Sequence, residues 1–203
     1  MDVKSKSGPL ANIRGLLKKQ NGILSASDLS HSGIPRTYLA ILEKNGEIQR
    51  ISRGIYVTAG NMPDEMAMLQ RRFRGAIFSH ETALYLLDLM DRTPLFYSVT
   101  VPSGFNATTL KASGAKVYFV QRNLYPLGLT ARKSPYGNSI QTFNMERTIC
   151  DVVRSRNQMD VQFVNQALKK YVEQRGGNLN QLWDYAAQFR IQKIMREYIE
   201  VLL

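Results

Sequence analysis

Thiols, imidazoles and acidic groups are all scarce in this chain of 203 residues. Cys150 is its one cysteine, which excludes an intramolecular disulfide framework and a Cys-rich zinc site. His31 and His80 are its two histidines, which excludes a multi-His metal site. His80-Glu81 is followed by Leu84 at the position where a zinc-binding helix needs its second His. The sequence has no Gly-x-x-x-x-Gly-Lys-Ser/Thr loop, and Ser103-Gly104 lacks the flanking glycine of a nucleophile elbow. Four carboxylates remain as candidates for Mg²⁺: Asp88, Asp91, Glu146 and Asp151. Glu146 and Asp151 stand five apart in a helical stretch and so face different ways. These absences lead to the expectation of a protein that is not an enzyme, with no catalytic residue, no metal and no cofactor. No run of about 18 apolar residues is present, so no transmembrane helix and no membrane partner are expected. Residues 1–10 carry Lys4 and Lys6 without an apolar stretch, unlike a secretory signal, and the expected location is the cytoplasm.

The scarcity of acid leaves 16 Asp and Glu against 27 Lys and Arg, a formal charge of +11. An excess of this size favours polyanionic partners. With 44% hydrophobic residues the chain can still bury a core. Residues 1–60 hold nine Lys and Arg against four Asp and Glu, so nearly half the excess lies in under a third of the chain.

In that first stretch Leu10, Ile13, Leu16 and Leu17 recur at helical spacing, and Asn21-Gly22 ends the helix. Ser25 or Ser27 can cap a short second helix around Asp28 and Leu29. A turn at 30–33 leads to Pro35, which suits the first position of a third helix over 35–44. Strand-like runs at 47–51 and 55–58 flank the tight turn Ser52-Arg53-Gly54. Leu39, Leu42, Ile48, Ile51 and Ile55 are the expected core, with Tyr56 a further candidate. Helix, helix, turn, helix and hairpin is the order of a winged helix-turn-helix.

Beyond a linker at 60–63, helices are expected over 64–73, from Ser79 to about 89, from the cap Asn144 to 154, over 160–174, and in two C-terminal stretches. Gly176-Gly177 separates the last two from the rest. Strands are expected at 76–78, 97–101, 116–121 and 139–143. Phe73 is placed in the core, and Cys150 reads as an inert buried thiol. Glu146 has two simple roles open to it, support of its helix N-terminus or a pair with Arg147. The expected fold class is α+β: a winged helix-turn-helix domain over residues 1–60, then a mixed α/β domain over 61–203 with a helical end. The apolar terminus, from Tyr198 to Leu203, packs on its own domain or meets a second copy on DNA.

The third helix is the element expected in the major groove. Arg36, Thr37 and Tyr38 sit in its first turn, the part that reaches base edges, and Lys44 at its far end suits a phosphate. An arginine there can pair bidentately with guanine, and a threonine methyl can touch thymine. Arg50 and Arg53 place charge on the wing, where Arg53 can enter the minor groove or bind backbone. Further basic candidates lie later in the chain: Arg71, Arg72, Arg74, Arg122, Arg132 and Lys133. For each of these an ordinary solvated charge is the competing reading.

The run Gly33-Ile34-Pro35-Arg36-Thr37-Tyr38-Leu39, followed by Gly46-Glu47-Ile48 and Arg53-Gly54-Ile55-Tyr56-Val57, resembles the start of the AbiE antitoxins. Ser79-His80-Glu81-Thr82-Ala83-Leu84 and Asn144-Met145-Glu146-Arg147-Thr148-Ile149-Cys150-Asp151 resemble later stretches of that family, in the same order. The resemblance implies an AbiEi-like antitoxin of a type IV toxin–antitoxin system, acting in abortive infection and phage defence. It implies a nucleotidyltransferase-like toxin from the same operon as functional partner, without need of a stable complex. It also implies double-stranded operator DNA as a partner, bound at inverted repeats to repress the chain's own operon. A winged-helix transcriptional regulator without a toxin partner is the alternative.

Overall fold

The computed structural model describes residues 8–174 and 177–202, with only the backbone of 201 and 202. Lys4, Lys6, Gly176 and Leu203 lie outside the described residues. The chain divides into two compact units, one comprising Met1–Arg74 and Lys133–Ser139, the other Gly75–Arg132 and Ile140–Leu203. Residues 61–74 and 133–139 therefore group with the N-terminal unit, whereas the sequence places the boundary at 60.

In the first unit the described elements are α1 (Pro9–Lys19), β1 (Ile23–Ser25), α2 (Ala26–His31), α3 (Thr37–Lys44), β2 (Ile48–Ser52), β3 (Ile55–Thr58) and α4 (Glu65–Arg72). The three strands form an antiparallel sheet in the order β1-β3-β2. This is a winged helix-turn-helix, with β2 and β3 as the wing. Ile13, Leu17, Leu24, Leu29, Leu39, Leu42 and Ile48 close its core. Ser25 caps α2 reciprocally: its hydroxyl accepts from Asp28 N at 3.1 Å, and the Asp28 carboxylate accepts from Ser25 N at 2.8 Å. Tyr56 is half-buried against this core.

Two expectations need correction here. Helix α3 starts at Thr37, with Arg36 at the N-cap, so Pro35 precedes the helix instead of opening it. Ile51 is 39% exposed and not in the core. The ladder pairs Arg50 with Tyr56 and Ser52 with Ile55, so Ile51 is the extra residue of a bulge, which takes it out of the inward alternation.

Two ties explain why α4 and the 133–139 segment belong to this unit. Half-buried Arg71 donates to Gln20 Oε1, to Ile23 O at 3.0 Å and to Asp28 Oδ2 at 3.1 Å. Buried Asp64 caps α4 through Ala67 N at 3.1 Å and also accepts from Ser134 Oγ and from Asn138 Nδ2 at 2.7 Å. Phe73 follows α4 only half-buried, with the Arg72 guanidinium 5.1 Å from its ring centroid, so it is not the core residue expected.

The second unit has a five-stranded mixed sheet in the order β6-β5-β4-β8-β7. Its strands are β4 (Ile77–Phe78), β5 (Ser98–Pro102), β6 (Lys116–Val120), β7 (Leu129–Lys133) and β8 (Ser139–Phe143). Its helices are α5 (His80–Leu86), α6 (Thr108–Ala112), α7 (Met145–Arg154), α8 (Val161–Glu173), α9 (Leu179–Gln188) and α10 (Gln192–Leu202), with a 3₁₀ turn at Arg156–Gln158. Asn144 caps α7 through Arg147 N, and Asp160 caps α8 through Gln162 N. Ser79 does not cap α5: its hydroxyl is bonded to His80 Nδ1 at 2.9 Å and to Thr100 Oγ1 at 2.8 Å. Leu84, Leu89, Ile149, Val152, Leu168, Leu182 and Met195 are fully buried in the helical core, as is Cys150, whose thiol pKa is pushed up first by that burial. The inward side of α10, Met195 and Ile199, docks in this same core, with Ile191 just before the helix.

Candidate nucleic-acid interface

A short turn between α2 and α3 sets the site. Gly33 adopts φ +67°, a left-handed conformation suited to glycine, and the chain returns through Ile34 and Pro35. Arg36 then stands at the N-cap of α3 with no side-chain cap, and Thr37 opens the helix; both are exposed. The exposed amides of such a turn favour an anion. The Arg36 side chain is not loose. Its Nε and Nη2 donate to Ser30 Oγ on α2 at 3.1 and 2.9 Å, and Ser30 Oγ donates to Ala26 O at 3.2 Å. Tyr38 is half-buried and packs against the core, so only part of it faces outward. Lys44 is exposed in the last turn of α3.

The wing supplies the second group. Arg50 is exposed, and its Nε lies 3.4 Å from Ser52 O, which bends the side chain toward the tip of the turn. Arg53 is exposed in the turn itself, next to Gly54 at φ +76°. The six candidates Arg36, Thr37, Tyr38, Lys44, Arg50 and Arg53 thus lie in one unit, on its third helix and its wing.

The later basic candidates divide differently. Arg71 spends its guanidinium on three acceptors within the first unit, and burial lowers its pKa while Asp28 and Asp64 oppose that shift. Arg72 lies along the Phe73 ring, and Arg74 donates to Ser27 Oγ at 2.7 Å; both are exposed. Arg122 is exposed in the second unit, where its Nε donates to Ser103 O at 3.2 Å. Arg132 and Lys133 are exposed at the end of β7.

Several groups escaped the sequence reading because their partners are distant in the chain. Ser30 is one, six residues before the arginine it holds. Another is the exposed Arg14–Glu47 fork, at 2.8 and 2.9 Å, whose hydrogen bond lowers the Glu47 pKa and raises that of Arg14. In the second unit Glu146 stands in the first turn of α7, the helix-end role of the two expected, and also accepts from Asn178 N at 2.9 Å; Arg147 pairs elsewhere. Fully buried Arg147 pairs with Asp151 at 3.0 Å, donates to the carbonyls of Leu124 and Leu127 at 2.7 Å, and stacks on Phe143 and Phe189. His80 is fully buried between Ser79 and Ser155, its ring stacked 3.4 Å from that of Tyr118. Glu81 accepts from Ser98 Oγ at 2.7 Å and Lys116 Nζ at 3.0 Å, beside a cavity of about 150 Å³ whose walls include Met90, Phe96 and Phe163. Asp91 pairs with Lys170, whereas Asp151 pairs with Arg147 and Arg154. Among the described residues no cluster of His, Cys, Asp and Glu has the makings of a metal site, and no helix is long and apolar enough to cross a membrane.

Residues 13–59, which run from within α1 to just past the wing, match the family model described as a transcriptional regulator, AbiEi antitoxin. No curated protein matches the chain. Among solved structures, the crystal structure of the RV2827C protein from Mycobacterium tuberculosis is similar over 92% of this chain and 77% of that one, at 13% identity and a TM-score of 0.48.

Proposed function

We propose, from the premise that residues 13–59 match the AbiEi antitoxin regulators, that this chain is the autorepressing antitoxin of a type IV toxin–antitoxin system. Its first unit binds operator DNA at inverted repeats upstream of its own operon. Arg36 and Thr37 read base edges in the major groove, part of Tyr38 and Lys44 hold flanking backbone, and Arg50 and Arg53 hold the DNA from the wing. The observation that carries this reading is the exposed arginine at the N-terminus of α3, set beside a charged wing in a strongly basic chain. The partner it opposes is a nucleotidyltransferase-like toxin of the same operon, in a cytoplasmic abortive-infection response to phage. No catalytic residue and no cofactor enter this role.

A second reading has its own support. The matched segment ends at residue 59, before the second unit begins at Gly75. A winged-helix regulator with no toxin partner fits that limit. Footprinting on the upstream DNA, together with growth rescue on co-expression with the toxin candidate, separates the two. Protection of paired half-sites with rescue supports the antitoxin. Protection without rescue leaves the regulator, and no protection removes both repressor readings.

A further inference from the structure

The geometry points to Ser30 as a positioning residue that aims Arg36 at a guanine in each operator half-site. The inference rests on the DNA-binding reading above and adds to it the base that is read and a residue that sets the reading. A guanidinium has five N–H groups. Nε–H and one Nη2–H lie on one edge, and Ser30 Oγ accepts from that edge at 3.1 and 2.9 Å. The remaining Nη2–H and a parallel Nη1–H form the end fork, directed away from Ser30. A fork of two donors needs two adjacent acceptors, and in the major groove guanine offers O6 and N7. Adenine offers one acceptor beside a donor, and thymine a single acceptor beside a methyl group.

Ser30 is itself held. Its hydroxyl donates to Ala26 O at 3.2 Å, so its lone pairs face the arginine. The arginine is thereby ordered before DNA arrives, and the entropy cost of fixing an exposed long side chain is reduced at binding. Since Ser30 lies on α2 and Arg36 at the head of α3, the bond also links the two helices on either side of the turn.

The test uses the full chain and the duplex protected in its upstream DNA. Each guanine in turn is replaced by 7-deazaguanine, which has C–H in place of N7. One such replacement is expected to weaken wild-type binding about tenfold, and Arg36→Ala is expected to ignore it. Ser30→Ala is expected to weaken binding to the native duplex about three- to tenfold, to leave scrambled DNA unaffected, and to be less sensitive than wild type to the same replacement. Ser30→Thr, which keeps the hydroxyl, is expected to restore both affinity and sensitivity. Ser30 is exposed and alanine is a good helix former, so the variant tests positioning and not folding. Ser30→Ala binding like wild type, or losing affinity equally for all DNA, overturns the inference while the DNA-binding reading stands. A wild-type chain with no preference for the upstream duplex overturns both.

Discussion

Arg36 and Arg71 carry the same side chain in opposite circumstances. Arg36 is exposed and gives one edge of its guanidinium to a single hydroxyl. Arg71 is half-buried and joins α4 to β1, α2 and the end of α1. Arg71→Ala is therefore expected to destabilise the first unit by about 1–3 kcal/mol, the cost of leaving half-buried charge-assisted partners unpaired, which urea unfolding measures. A variant with unchanged stability and weakened DNA binding would instead make Arg71 a DNA contact. His80 makes a different prediction. Burial first, then the positive charges of Arg154, Lys116 and Arg147, push its pKa well below 6.5. In the unfolded chain the imidazole takes up a proton near pH 6.5, whereas in the folded chain it stays neutral. The unfolded state then binds more protons, so stability falls as pH drops below about 6.5. Thermal unfolding between pH 7.5 and 5.5 should show a falling Tm, and His80→Gln should flatten that trend. A wild-type Tm that rises toward pH 5.5 would contradict it.

Helix α2 has six residues, too few to persist on propensity alone. Its capping box and the burial of Leu29 hold it in place. Ser25→Ala should cost about 0.5–2 kcal/mol in urea unfolding, and a neutral result would show that packing alone fixes α2. This cap was legible in the sequence as one of two, Ser25 or Ser27, and that of α7 as Asn144, because capping depends on residues two or three apart; Asp160 reads as the start of α8, which it caps. The long helices were legible from their apolar spacing. Strand β1 was not: its three residues are all buried, and a fully buried triplet shows no alternation. Strand β7 lies mostly exposed and carries no apolar pattern, and α6 has only five residues. The bulge at Ile51 depends on the pairing of β2 with β3, which sets register across strands and not along them. The candidate site was legible for the same reason as the caps, since Arg36, Thr37, Lys44 and Arg53 all take their positions from local turns and helix ends. Ser30 and Arg71 gain their roles from packing between separate elements, and so does the burial of the Arg147–Asp151 pair, whose members stand four apart on α7.

The charge of +11 and the exposed arginines of the wing make salt the natural probe of the proposed DNA binding. If Arg53 holds a phosphate, Arg53→Ala should weaken binding to all sequences alike and lower the slope of log affinity against log salt by about one. A loss confined to the upstream DNA would place Arg53 on a base or in a shape-selected minor groove. The most direct measurement is a gel-shift titration of wild type and Arg36→Ala against the upstream DNA and scrambled DNA, at two salt concentrations. Operator recognition through α3 requires wild type to favour the upstream DNA by orders of magnitude at physiological salt, and Arg36→Ala to lose most of that preference while keeping its weak general binding. Equal, salt-sensitive binding of wild type to both DNAs would reduce the basic surface to generic attraction and contradict a repressor's role.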